Sequence, residues 1–135
     1  MTTINQITDV FAILGPNLQV TPKPFGPTFY PELQSRFDGF ANHVLVSAHD
    51  FTEDWPTWER HPKGDEIVLL LSGRATLLLR QARGDVTLTL NTPGTYIIVP
   101  ANTWHTARVD TPTRMLFITP GEGTENRILN EATTL

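Results

Sequence analysis

The sequence predicts an all-β domain, either an antiparallel sandwich or a small barrel. From residue 40 onward, short apolar segments alternate with turn signals such as Ser72-Gly73 and Asn91-Thr92-Pro93-Gly94. In segment 86–90, valine and leucine alternate with threonine, which is the pattern of a half-buried strand. The predicted strands are 41–48, 55–61, 66–72, 74–81, 85–90, 94–99, 103–109 and 114–119. So many short, closely spaced strands with little helix favour this fold class.

The first 39 residues are predicted to form a helix and a proline-rich arm that pack on this domain. Residues 4–14 carry apolar side chains at helical spacing and end at Gly15-Pro16, so a short amphipathic helix is expected there. Residues 16–31 contain five prolines, which neither continue a helix nor fit a central strand. The arm also holds three aromatic side chains, and these favour an ordered arm over a loose linker. It would lie over the domain or over a partner subunit.

The barrel itself is assigned to residues 40–120, and residues 121–135 to a C-terminal tail. The tail is polar and glycine-rich, with one apolar pair at Ile128 and Leu129, so we expect it to be partly mobile. A chain of 135 residues without internal repeats fits a single domain of this kind.

Composition excludes several classes of function. The formal net charge is −4 and no cluster of lysine or arginine is present, so nucleic acid and anionic membranes are not expected partners. The absence of cysteine excludes disulfides, thiolate metal sites and cysteine nucleophiles. No signal peptide or membrane-spanning run is visible, which predicts a cytoplasmic location.

One stretch places acidic and imidazole side chains at the start of an apolar strand. Glu59 and His61 are two residues apart, so in a strand they share a face. A turn at 62–65 folds Glu66 back towards them, and the aliphatic run 67–71 follows. Burying such groups at the start of an apolar strand destabilises the folded protein unless they are paired or bound to a cation.

A second stretch, residues 94–105, complements the first. Its pattern predicts a strand from Gly94, a turn at Pro100 and an isolated His105 near the start of the next strand. Together the two stretches resemble the two motifs of the cupin superfamily. In the first motif, four residues separate His61 from Glu66, and six residues separate Glu66 from Gly73. In the second motif, five residues separate Gly94 from Pro100, and His105 lies five positions after Pro100.

The sequence also departs from the family pattern at four positions. Glu59 stands where the first motif has a histidine, and Glu53 where it has its leading glycine. In the second motif Asn102 replaces a glycine, which asparagine can do because it also tolerates positive φ. Val109 stands in place of the terminal asparagine.

The resemblance implies a cupin jelly-roll, a double-stranded β-helix, with one divalent metal ion. By matching positions the metal ligands would be His61, Glu66 and His105, with Glu59 as a possible fourth ligand or as the catalytic general base. Two imidazoles and a carboxylate suit Fe, and also Mn, Ni or Zn. Glu59 adds a hard oxygen donor, which shifts the preference away from soft metals.

A metal-free interpretation of the same residues stays open. The two glutamates and two histidines could form a buried hydrogen-bonded network, neutralised by Arg74, Arg80 or Arg108. His43 and His49 match no motif and are predicted to be surface or packing residues. The side chains on the opposite face of the strand, Trp58 and Arg60, are predicted to pack in the core together with Trp55, with packing under the arm or a subunit contact as the alternatives.

Three functions remain open at this point. The first is a metal-dependent enzyme of dioxygenase or isomerase/lyase type, acting on a small organic substrate in a pocket lined by aliphatic residues of 66–72 and 94–99 with Tyr96 and Phe117. The second is a non-catalytic sensor or storage protein for a small ligand or metal, and the third is a metal-free structural barrel. We expect a homodimer, because the aromatic arm and an exposed sheet edge need cover.

Overall fold

The computed structural model describes residues 3–129. Within this part of the chain the regular elements are strands, one α-helix (α1, Phe29–Arg36) and a short 3₁₀ helix (Asp38–Phe40). The strands are β1 (Val10–Leu14), β2 (Val20–Pro24), β3 (Val44–Phe51), β4 (Thr57–Arg60), β5 (Glu66–Ser72), β6 (Ala75–Leu79), β7 (Val86–Leu90), β8 (Tyr96–Val99), β9 (His105–Arg108), β10 (Thr113–Thr119) and β11 (Glu125–Ile128).

The strands form two antiparallel sheets that pack face to face. One sheet has the order β2-β1-β3-β10-β5-β8 and the other the order β11-β4-β9-β6-β7. Their inner faces share one apolar core, to which Val68, Leu70 and Met115 contribute from the first sheet and Leu77 and Leu79 from the second. The predicted all-β jelly-roll class is confirmed, as an open sandwich rather than a closed barrel. The eight strands predicted between residues 41 and 119 correspond to β3 to β10.

The predicted helix over residues 4–14 is wrong, because this segment contains strand β1. Phe11 and Ile13 are fully buried while the residues between and beside them are half-buried, which is the two-residue period of a strand. β1 pairs with both β2 and β3, so it lies inside the first sheet. Ile4, counted on the apolar face of the predicted helix, is fully exposed. Sheet pairing on both sides outweighs a helical spacing that holds for only a few apolar residues.

The proline-rich arm is more regular than predicted. Pro22 and Pro24 lie in β2, which is the outermost strand of its sheet, where a missing N–H group is tolerated. Pro31 lies in the first turn of α1, where no intrahelical donor is needed. Phe29 and Leu33 of α1 and the aromatic ring of Phe11 form a second apolar core. The first 39 residues therefore extend the sandwich instead of merely covering it.

The C-terminal tail also contains structure. β11 pairs with β4 and forms the outer strand of the second sheet, and the amide of Leu129 donates to the carbonyl of Pro56. The expectation of a mobile tail is therefore wrong for residues 125–129, and residues 130–135 lie outside the described part of the chain. Among the described residues, no helix has the length and apolar character needed to span a bilayer.

Candidate metal centre

Strand ends bring the four predicted ligands together. Glu59 lies in β4, His61 directly follows that strand, Glu66 begins β5 and His105 begins β9. Glu59 and His105 are direct partners in the pairing of β4 with β9. The turn at residues 62–65 places Glu66 on the facing sheet, so the four side chains meet between the two layers.

The ligand atoms of these residues all lie within 4.8 Å of one another. His61 Nε2 is 3.2 Å from Glu59 Oε1 and 3.3 Å from Glu66 Oε2. His105 Nε2 is 3.0 Å from Glu66 Oε1 and 3.8 Å from Glu59 Oε1. The cluster that the spacing of the motifs predicted is therefore present as a single group that could hold a metal ion.

Both histidines turn Nε2 towards the centre of the cluster because Nδ1 is held elsewhere. The Nδ1–H group of His105 donates to the carbonyl oxygen of Thr103 at 3.0 Å, since a carbonyl can only accept. The Thr124 hydroxyl donates to the carbonyl of Gly121 at 2.9 Å. It therefore accepts from Nδ1–H of His61, also at 2.9 Å. A fixed Nδ1–H group is the usual arrangement around a metal-ligating imidazole.

Two buried acceptors face each other inside this cluster. His105 is 0% and Glu66 2% exposed. Within the described chain, His105 Nε2 and Glu66 Oε1 have no hydrogen-bond partner although they are 3.0 Å apart. With the proton of a neutral His105 on Nδ1, both atoms carry lone pairs and neither can donate to the other. Burying two such acceptors in contact is unfavourable unless a metal ion, or a proton on His105 Nε2, lies between them.

The other oxygen of Glu66 is fixed by a threonine. The hydroxyl of Thr119, at the end of β10, donates to Glu66 Oε2 at 2.6 Å. This bond sets the plane of the carboxylate and leaves Oε1 facing His105. Thr119 and Thr124 were not found from the sequence, because a threonine outside the motif stretches carries no signal of such a role.

The carboxylates and imidazoles shift each other's pKa. Burial lowers the pKa of His61, but hydrogen bonds to Glu59 and Glu66 and their negative charges more than offset this and raise it to about 9. Burial raises the pKa of Glu66, but contacts with His105 and His61 lower it to about 2. Glu66 is thus an ionised carboxylate in an apolar layer, and a metal ion would compete with a proton for His61 Nε2.

The metal-free interpretation lacks the counter-ions it invoked. Among residues 3–129 the ion pairs of Glu59 and Glu66 involve the two histidines and no arginine. Arg80 instead pairs with Asp85 and lies over the ring of Trp58.

The opposite face of β4 behaves as predicted for packing residues. The guanidinium group of Arg60 lies 4.6 Å from the ring centre of Trp104 and pairs with Glu125 of β11. Trp58 is buried under Arg80. These contacts attach β11 to the second sheet and leave Glu59 and His61 on the inner side.

A cavity of about 530 Å³ opens beside the cluster, and Glu59, His61 and Glu66 form part of its wall. Phe117 lines it as predicted, but Tyr96 does not: it lies on the outermost strand β8 and is 57% exposed. Of the aliphatic residues of β5 and β8, Val68, Leu70, Ile97 and Val99 lie in the core instead, and Ile98 is exposed. The other walls come largely from α1, β3 and the segment before β11, which the sequence did not connect with a pocket: Tyr30, Leu33, Gln34, Phe40, Leu45, Ser47, His49, Phe51, Trp55, Thr119, Gly121, Gly123, Thr124 and Asn126.

The two remaining histidines both pack against aromatic rings, as predicted. His43 lies against Phe37 and Phe40, and its Nδ1 is 2.7 Å from the carbonyl of Ala41. His49 lies among phenylalanines but also lines the cavity, a position that its sequence context did not indicate.

The family model described as a cupin domain matches residues 52–119, which is half of the chain and includes both motifs. This chain belongs to the cupin family. The resemblance inferred from the two motifs is therefore confirmed, and the candidate centre occupies the motif positions of a cupin.

Solved structures with a similar fold include several other proteins. An oxalate oxidase in complex with glycolate is 16% identical with a TM-score of 0.52, and the match covers 61% of this cupin and 45% of the oxidase. An oxalate decarboxylase mutant from Bacillus subtilis is 19% identical with a TM-score of 0.51, covering 65% of this cupin and 24% of the decarboxylase. A cupin superfamily protein from Desulfitobacterium hafniense is 27% identical with a TM-score of 0.47, and the match covers 56% of this cupin and 65% of that protein.

This cupin therefore spans less than half the length of the oxalate oxidase it matches. At such identities these likenesses show the fold alone. None of the curated proteins compared with the chain matches it.

Proposed function

We propose that this cupin binds one divalent metal ion through His61, Glu66 and His105 and acts with it on a small organic substrate in the adjoining cavity. Glu59 would serve as a fourth ligand or as the general base. The observation that carries the proposal is the buried pair of facing acceptors, His105 Nε2 and Glu66 Oε1. A shared cation removes their repulsion and satisfies both atoms at once.

The spacing of the ligand atoms fits such an ion. Nitrogen and oxygen ligands about 2.1 Å from one metal ion, at angles of 90–109°, lie about 3.0 to 3.4 Å apart. The contacts of His61 with Glu59 and Glu66, and of His105 with Glu66, are 3.2, 3.3 and 3.0 Å. Glu59 is 3.8 Å from His105, which is the longest of these four contacts. Imidazole nitrogen and carboxylate oxygen donors suit Fe, Mn, Ni or Zn.

The protein groups around the ion would have distinct tasks. A metal ion in this place supplies a Lewis acid, or an anchor for O2 and substrate. Thr103 and Thr124 keep the two imidazoles in the ligating tautomer, and Thr119 keeps Glu66 oriented. Glu59 is the most exposed of the four and faces the cavity, so it is the group best placed to take a proton from a bound substrate. This division fits a dioxygenase and an isomerase or lyase alike.

Elemental analysis of protein purified without added metal tests the centre. We expect close to one equivalent of Fe, Mn, Ni or Zn in the wild type, and less than a tenth of that after the paired substitution His61→Ala and His105→Ala. His43→Ala is the matched control, because His43 lies outside both the cluster and its cavity, and it should keep the metal. Protein that is free of metal, takes none up on titration and is as stable with both alanines as without them would contradict the proposal.

Turnover separates an enzyme from a sensor. A panel of small keto, enol and sugar-derived compounds is incubated with the metal-loaded protein, with and without O2, and products are followed by mass spectrometry. Product formation that Glu59→Gln abolishes, while metal content persists, supports the catalytic role. Tight binding of a compound without any product would favour the non-catalytic sensor or storage protein instead.

Three further features belong to the same proposal. The protein would act as a homodimer in the cytoplasm and without a nucleic-acid partner. The net charge of −4 without a basic cluster supports the absence of a nucleic-acid partner. Exposed apolar side chains on the outermost strand β8 support the homodimer.

A further inference from the structure

The charged side chains in the wall of the cavity beside the candidate centre are mainly acidic. Neither lysine nor arginine is among the described residues that line it, whereas Glu59 and Glu66 both line it, with His61 as the group that can carry a positive charge beside them. Two carboxylates cancel the charge of one divalent ion when the imidazoles are neutral. With or without metal, therefore, the site offers an anionic molecule no net positive charge to bind against.

The walls of the cavity are mainly aromatic. Tyr30, Phe40 and Phe51 contribute rings on one side, and Trp55 and Phe117 contribute rings close to the centre. The ring of Trp55 also contacts His105, with centroids 6.1 Å apart, so the aromatic wall reaches the ligands themselves. A volume of about 530 Å³ accommodates a molecule with a single ring, and the walls favour an apolar one.

One polar side chain in this wall has no task in the proposed centre. His49 lies in β3, and its ring packs against those of Phe11 and Phe25 at centroid distances of 5.1 and 5.5 Å. The rings of Phe51 and Phe117 each lie 6.1 Å from that of His49. These rings hold the imidazole in one orientation at the edge of the cavity.

The ring nitrogens of half-buried His49 have no hydrogen-bond partner within residues 3–129, whereas each of the other three histidines has at least one bonded ring nitrogen. Burial lowers the pKa of His49, and the charges of Glu59 and Asp50 only partly oppose this. A neutral imidazole carries one donor and one acceptor. A polar group on a ligand in the cavity would therefore find a free hydrogen-bonding group in this aromatic wall.

We propose that the cavity selects an uncharged organic molecule with one apolar ring and a hydroxyl or carbonyl group, and that His49 hydrogen-bonds that group. His49 is then a specificity-determining residue on the wall of the proposed metal site. This inference rests on the proposed function only in so far as the same cavity holds the substrate.

Three probes of equal ring size test the selection: benzyl alcohol, benzoate and toluene. Dissociation constants are measured by ligand-observed NMR at pH 8, with protein loaded with Zn²⁺ and with protein stripped by a chelator. We expect benzyl alcohol to bind at least about fivefold more tightly than benzoate in the stripped form, because two carboxylates face the probe there without a divalent ion to cancel their charge. Benzoate binding as tightly as benzyl alcohol to the stripped protein would overturn the proposal.

Substitutions at His49 test the hydrogen bond. His49→Phe keeps an aromatic ring but loses both nitrogens, and should weaken benzyl alcohol binding by about tenfold while leaving toluene unchanged. His49→Gln keeps a donor and an acceptor and should stay within about threefold of the wild type. His43→Phe is the control, since His43 also packs on phenylalanines but lies outside this cavity.

The outcomes distinguish the two proposals. Equal weakening of benzyl alcohol and toluene by His49→Phe would mean that His49 only shapes the wall, and the inference would be wrong. Failure to take up Zn²⁺ would contradict the proposed function, but the order of the three probes in the stripped protein would still test the inference. Should His49→Phe not fold, His49→Leu takes its place: weaker binding of benzyl alcohol with unchanged binding of toluene supports the hydrogen bond, and parallel losses refute it.

Discussion

The position of His61 depends on a hydroxyl group far along the chain. Thr124 precedes β11, donates to the carbonyl of Gly121 and accepts from Nδ1–H of His61. His61 lies between two carboxylates, so without this bond its ring could turn and present Nδ1 to them. The ligating tautomer of His61 is thus set by the segment after the last core strand.

Thr124→Val removes this acceptor and keeps the shape of the side chain. We expect the affinity for Zn²⁺ to fall by about tenfold or more, as is typical when the hydrogen-bond partner of a metal-ligating histidine is lost. Competition with a chelating dye measures the constant. The control is Thr76→Val, because the hydroxyl of Thr76 contacts only Thr89 at a part-exposed position on the second sheet. Equal affinities of the two variants would show that Thr124 does not orient His61.

At the scale of elements, the strands that carry the motifs could be predicted from the sequence because their signals are local. The turns after Ser72 and before Gly94 delimit short apolar segments, and each motif lies next to one of them. The candidate ligands could be predicted for the same reason, since Glu59, His61 and Glu66 occupy fixed positions around one turn.

Other elements could not be predicted because their stability comes from distant partners. β1 is a strand because it pairs with β2 and β3, although its own apolar spacing also fits a helix. β11 has four exposed residues and no apolar pattern, and it is held by its register with β4 and by the ion pair of Arg60 with Glu125. The cavity wall comes largely from α1, β3 and the segment before β11, which lie outside the motif stretches, so His49 could be assigned to packing but not to a pocket.

The turn between β5 and β6 gives a test at this scale. Gly73 has φ +83° and a Cβ atom there would lie 2.4 Å from the carbonyl oxygen of Pro112. Gly84 has φ +117° and open space around the same position. Both substitutions place alanine at a positive φ, but only Gly73→Ala adds the clash with Pro112.

We expect Gly73→Ala to lower the free energy of unfolding by at least about 2 kcal/mol more than Gly84→Ala, because backbone and not a flexible side chain must move. Urea unfolding followed by circular dichroism gives both values. Similar losses in the two variants would mean that the turn at Gly73 can shift away from Pro112 at little cost.

At the scale of the whole molecule, the outermost strand β8 has an apolar outer face. Among residues 3–129 it pairs only with β5, and its Tyr96 and Ile98 are 57% and 54% exposed on the same side. The alternate residues Ile97 and Val99 point into the core. An unpaired strand edge next to two large exposed apolar side chains favours association with a second copy of the chain.

We therefore expect sedimentation velocity at micromolar concentration to give about twice the chain mass of 15.1 kDa. Ile98→Lys places a charge on that face and should shift the protein to the monomer without changing its metal content, since β8 contributes no ligand. Leu88→Lys, on the outermost strand of the other sheet, should leave the dimer intact. A wild-type monomer contradicts the dimer, and equal dissociation by both substitutions would mean that β8 is not the specific contact.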